Sequence, residues 1–136
     1  MGSGFDQNRK RAAGSRVIAW LLVALYCLLI FLQSAFPPPG DLPGIPGMDK
    51  LAHLLIYLVL GLLFVRAYAL SFPRIPPTPW LFWLAWLSTA LYGASDEVHQ
   101  AFVTARSADA LDWLADALGG AMGAVLYLRL RRRKRR

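Results

Sequence analysis

The twenty residues VIAWLLVALYCLLIFLQSAF, positions 17–36, carry no charge, and Gln33 and Ser34 are their only strongly polar members. At 1.5 Å of rise per residue, a helix of this length covers about 30 Å, the thickness of a bilayer's hydrocarbon core. The stretch therefore predicts a transmembrane helix. A cleaved signal peptide would have an apolar region of about 7 to 15 residues followed by a small-x-small site. This run is longer and Gln33-Ser34-Ala35 makes a poor site, so an uncleaved span is expected. The lone cysteine, Cys27, lies inside the run and excludes an intramolecular disulfide.

Three more apolar windows follow, at about 51–70, 80–102 and 111–130. The segments 36–48, with five prolines, and 72–79, with four, separate the first three, and a polar turn near 103–108 precedes the last. Proline lacks a backbone donor and stops helices, so these segments are boundaries. Trp20, Trp80 and Trp83 fall at the expected span ends, where amphipathic rings favour the membrane interface. The expected fold class is all-α: a polytopic membrane protein with four transmembrane helices in a bundle over 17–128, between tails 1–16 and 129–136.

The chain of 136 residues is 57% hydrophobic and holds 15 Lys and Arg against 8 Asp and Glu, a formal charge of +7. Seven of the basic residues lie in 129–136, and four (Arg9, Lys10, Arg11, Arg16) lie in the N-terminal tail. Between 17 and 128, Lys50, Arg66, Arg74 and Arg106 face Asp41, Asp49, Asp96, Glu97, Asp109, Asp112 and Asp116, a net of −3. A nucleic-acid binder would carry its basic face on the folded body, so no nucleic-acid partner is expected. Four spans place both tails on one side, and short cytoplasmic loops carry the excess of Lys and Arg. Both termini are thus expected in the cytoplasm, in the cytoplasmic (inner) membrane, with the tails on anionic lipid. Nearly all the acid then faces outward.

Helical spacing gathers that acid into stripes. Asp49, His53 and Tyr57 recur every four residues at the start of the second window; Asp96, His99 and Gln100 share a face near the end of the third, with Glu97 beside them; Asp109, Asp112 and Asp116 continue into Gly119 and Gly123 in the fourth. A charge toward the middle of a membrane costs about 2.5–3.5 kcal/mol on insertion scales, so such residues normally face a bundle interior or a wet cavity. The three stripes predict an outward-opening pocket of Asp49, His53, Asp96, His99, Asp109, Asp112 and Asp116, with Lys50 and Arg106 at its rim.

Plainer roles compete. Asp49 and Asp109 begin helices, where acids cap free amides and answer the helix dipole. Arg106 can simply pair with a carboxylate, and the histidines can be buried hydrogen-bonders. Gly119-x-x-x-Gly123 is more often a close-packing step than chemistry. Gln33 and Ser34 read as incidental.

The segment SDEVHQAFVTARSADALD, 95–112, with Asp116 and Gly119, resembles the signature of the VanZ-like family of small integral membrane proteins. The upstream DKLAHLLIYLVLG, 49–61, is similar to the family's other recurring element. Two departures stand out: Thr104-Ala105 where family members usually have Pro-Gly, and Asp116 where they often have Asn. The resemblance implies a membrane bundle of four or more helices and a link to low-level resistance to the glycopeptide teicoplanin, the phenotype behind the family's name. The positions it carries over are Asp49, Lys50, His53, Tyr57, Asp96, Glu97, His99, Gln100, Arg106, Asp109, Asp112 and Asp116.

Three functions compete for such a site. The first is binding of, or action on, a cell-envelope lipid or lipid-linked precursor at the outer leaflet. His53, Asp96, His99 and Asp112 are then candidate acid–base groups, and Arg106, Lys50, Gln100 and Tyr57 substrate contacts. A divalent metal could sit on Asp49, Glu97, Asp109 and Asp116, with His53 and His99 as further ligands. No hydroxyl or thiol has triad spacing: Ser95 and Ser107 stand apart, and Cys27 is in the first span. The second is a structural or assembly subunit, although the acids outnumber the cations that would pair with them. The third, a small proton-coupled transporter, suits the chain least, because 62–65 and 81–87 offer no polar route inward.

Overall fold

The computed structural model describes residues 3–36, 47–72, 78–103 and 108–134, with the side chains of 3–6 and 8 left aside. Asp41, Arg74, Ser107 and Arg106 lie outside the described residues. The chain forms four helices, α1 (Ser3–Ser34), α2 (Met48–Ser71), α3 (Thr78–Gln100) and α4 (Ala110–Arg133). Among the described residues there is no strand.

The helix ends follow local chemistry. α1 starts well before position 17, through the basic tail. Ala, Arg, Lys and Gln are good helix formers, and lengthening an existing helix avoids a new nucleation cost. Thr78 opens α3 with Pro79 in its first turn, where a missing N–H costs nothing. Asp109 caps α4 by accepting the Leu111 N–H at 2.8 Å. At α2 the cap is Gly47, in the left-handed region at φ 81° and with no side-chain bond. Asp49 is therefore a first-turn acid rather than a cap, favoured there by the dipole.

Consecutive helices alternate in direction. Trp20 of α1 donates to Ser71 Oγ of α2 at 2.9 Å, while Tyr26 reaches the Ile56 carbonyl, nearer the start of α2. Along α3 and α4, Trp86 donates to the Ala117 carbonyl and Trp113 to the Ala90 carbonyl, again antiparallel. Tyr92 donates to the Cys27 carbonyl and Gln100 to Ser34 Oγ, so α1 and α3 run the same way. These indole and phenol bonds tie the helices together along their length.

α2 and α4 are parallel and unusually close. A Cβ on Gly119 would overlap the Leu54 carbonyl oxygen, one on Gly123 the Leu58 carbonyl oxygen, and one on Gly61 the Gly120 carbonyl oxygen. The glycine step is a close-packing device, and it lies in the stripe that carries Asp109, Asp112 and Asp116.

The apolar surface is turned outward. Leu21, Leu25, Leu28, Leu29 and Leu32 of α1, Leu51, Leu55 and Val59 of α2, and Leu114, Leu118 and Met122 of α4 are all exposed, while the interior is narrow and rich in alanine. A soluble protein rarely exposes contiguous apolar surface on this scale; a lipid-facing bundle does. Arg9–Ser34, Met48–Ser71 and Ala110–Arg133 are each long and apolar enough to cross a membrane. α3 is equally long but carries Trp80, Trp83, Trp86 and Tyr92 and ends on Asp96, Glu97, His99 and Gln100, which lowers its hydropathy. The chain is a multi-pass membrane protein.

Candidate functional site

The alternation brings the last turns of α1 and α3 to the same end as the first turns of α2 and α4, and the polar stripes meet there. Lys50 is the hub at the rim. Its Nζ lies 2.9 Å from Asp49 Oδ2, 3.1 Å from Asp109 Oδ2 and 3.0 Å from Asp112 Oδ1. It thereby ties the start of α2 to the start of α4. The Leu111 N–H, and next the Lys50 ammonium, hold the Asp109 carboxyl below its usual range. Asp109 also donates its backbone N–H to Glu97 Oε2 at 2.8 Å, fastening the end of α3 to the start of α4.

One turn deeper, His53 Nδ1 lies 2.9 Å from Asp116 Oδ1. Asp116 is fully buried and Glu97 is 7% exposed. Asp116 fits because Gly93 of α3 has no side chain: a Cβ there would sit 2.9 Å from Asp116 Oδ2. His53, Glu97 and Asp116 each offer a ligand atom within 4.8 Å of the others. Among the described residues, Asp116 Oδ2 and Glu97 Oε1 are buried with no hydrogen-bond partner, a costly state for carboxylate oxygens.

On the other side of His53 lies a cavity of about 180 Å³ between α1, α2 and α3. Asp49, His53, Asp96 and Gln100 give it polar walls, Tyr57 shares the lining, and Ile30, Ala52 and Ile56 give it an apolar side. Gln100 Nε2 donates to Asp96 Oδ2 at 3.0 Å and reaches Ser34 Oγ at 3.4 Å. Tyr57, 1% exposed, has its ring 6.4 Å from that of His53 and nearly parallel to it.

Of the residues expected at the site, Asp49, Lys50, His53, Tyr57, Asp96, Glu97, Gln100, Asp109, Asp112 and Asp116 come together at this end. His99 is turned away: its ring stacks on Phe31 of α1 at 4.4 Å, and it does not line the cavity. At 100° per residue, Glu97 and His99 project about 160° apart, so one pocket cannot hold both. Arg106 lies outside the described residues. Gln33 and Ser34, which read as incidental, line the cavity, and Ser34 is 2% exposed. Polar residues at the end of an apolar run look alike whether they face water or a neighbouring helix.

No curated protein and no solved structure matches the chain. The model of the VanZ/LLP1 family does match it, over residues 18–131. That stretch takes in α2 and α3 whole, part of α1, nearly all of α4 and every residue of the polar end. With the match covering well over half of its length, this multi-pass chain belongs to the VanZ/LLP1 family.

Proposed function

We propose that the chain is a four-span protein of the cytoplasmic membrane with both termini in the cytoplasm, and that its polar end binds the head group of a cell-envelope lipid or lipid-linked precursor at the extracytoplasmic face. Support for α3 as the fourth span comes from its outward stripe of Trp80, Trp83, Leu87, Leu91 and Val98, exposed at helical intervals along the helix. The orientation rests on the basic residues of 9–16 and 129–134, which lie at the end of the bundle opposite Lys50 and its carboxylates.

The observation that carries the reading is the cavity beside His53. Carboxylates and two amides line one part of it, Ile30 and Ile56 another, and it lies at the end of the bundle where the polar stripes meet. A polar head group with an attached chain has that same division. In this reading His53 is the acid–base group, oriented through Nδ1 by Asp116. Asp96 and Asp112 are the further carboxylates, and Lys50 and Arg106 the cations toward a phosphate.

Teicoplanin resistance would follow if the bound lipid is a precursor or membrane component that this antibiotic engages. The test is expression in a teicoplanin-susceptible bacterium. Wild type is expected to raise the inhibitory concentration, and His53→Ala to abolish the rise at equal membrane abundance. A variant that protects as well as wild type, or a wild type that alters neither susceptibility nor lipid profile, refutes the reading.

A further inference from the structure

We propose that His53, Glu97 and Asp116 form a binding site for one divalent transition-metal ion of the zinc type. The donors come from three helices: His53 from α2, Glu97 from α3 and Asp116 from α4. Their ligand atoms all fall within 4.8 Å of one another. Around a tetrahedral zinc ion, oxygen and nitrogen ligands at about 2.0–2.2 Å stand about 3.4 Å apart. The donors must therefore close by up to about 1.4 Å, a side-chain adjustment, to share one centre.

The independent observation is the state of the carboxylates. Asp116 is 0% and Glu97 7% exposed, and Asp116 Oδ2 and Glu97 Oε1 are buried with no hydrogen-bond partner among the described residues. Lys50, the nearest described ammonium, is engaged by Asp49, Asp109 and Asp112. Inside a membrane protein two such carboxylates beside one imidazole call for a cation. The set of one imidazole nitrogen and two carboxylate oxygens suits zinc and its neighbours, whereas calcium and magnesium favour all-oxygen sites.

Three protein ligands leave a coordination position open, the pattern of catalytic rather than structural zinc. His53 belongs both to the donor set and to the cavity wall, so with the ion bound it serves as a ligand in place of its acid–base role. An ion there would turn an acidic recess into one that attracts an anion such as a lipid phosphate. This last consequence rests on the head-group reading; the metal site itself does not.

The experiment uses the full chain, purified without a histidine tag, stripped with chelator, incubated with ZnCl2 and dialysed, with zinc counted per protein. One equivalent is expected for wild type and for His99→Ala, because His99 stacks on Phe31 away from the donors. Glu97→Gln, Asp116→Asn and His53→Ala are each expected to bind zinc more weakly, by at least the roughly 10–100-fold that changes outside the ligand shell already cause. Cobalt provides a measurement needing no variant. Loading wild type with CoCl2 should give visible absorption bands that one equivalent of zinc removes. Wild type that retains no zinc and shows no cobalt bands overturns the site, as does full retention by a helical, monodisperse Glu97→Gln or Asp116→Asn. Failure in this assay with a surviving resistance phenotype would remove the metal and leave the head-group reading in place.

Discussion

Gly123→Ala tests whether the contact between α2 and α4 is set by bare glycine faces. The added Cβ would overlap the Leu58 carbonyl oxygen and stand 2.9 Å from both Leu58 C and Leu62 N, where ordinary contact is 3.4–4 Å. These are backbone atoms of another helix, so no rotamer change relieves them. α4 must withdraw by at least the difference, about 0.5 Å. Helix propensity alone favours alanine by about 0.8–1.0 kcal/mol, while overpacking costs about 1–3 kcal/mol. Withdrawal also stretches the 2.9 Å contact between His53 and Asp116, and a strained buried hydrogen bond adds about 1 kcal/mol. The expected sum is a destabilisation of about 1–3 kcal/mol, opposite in sign to propensity. Gly14→Ala is the matched control, because nothing lies within 4 Å of its Cβ position; it should be neutral or stabilising. Both are measured by reversible unfolding in detergent with increasing SDS, followed by tryptophan fluorescence, since Trp86 and Trp113 bridge α3 and α4. Gly123→Ala at or above wild-type stability refutes the reasoning.

Gly93→Ala should act differently. Its Cβ would meet the Asp116 carboxylate, with Oδ2 at 2.9 Å, rather than backbone. The carboxylate can turn, so resistance or zinc retention should fall more than SDS stability; a variant normal in both assays would show that Asp116 needs no fixed position. Asp109→Asn addresses pH. The Asp109 carboxyl is depressed, first by the Leu111 N–H and then by Lys50, so its contribution is present above the unfolded carboxyl's pKa and fades as pH falls through the lower folded value. Stability of wild type should decline through that acid window, and the variant should show less of this decline; identical acid profiles would contradict the linkage.

Much of the fold was legible in the sequence because bilayer burial is a one-dimensional property. A run of twenty uncharged residues, proline-dense boundaries and tails rich in arginine act segment by segment, and they suffice for an all-α, multi-pass chain. The stripes of α2 and α4 were legible for a similar reason: spacing of three and four residues fixes a face before any neighbour is known. Position at a helix start offered both Asp49 and Asp109 as caps, of which only Asp109 is one, and spacing offered Gly119 and Gly123 as a packing step. It could not separate His99 from Asp96, three residues away, because a face is defined only once a neighbour lies against it. Phe31 of α1 took that side of α3, while Asp96 and Gln100 turned to the cavity and Glu97 to α4.

The sequence by itself determined which residues are too polar to face lipid. Tertiary structure decided which of them meet. α2 and α4 approach until glycine faces touch backbone, and that closeness sets His53 on Asp116 and Lys50 on Asp112. Packing of α1 against α2 and α3 adds Ser34 and Gln33 to the cavity wall, and two buried carboxylate oxygens meet no donor among the described residues. Those distances depend on three helices at once, and pairwise spacing along one chain carries no such information.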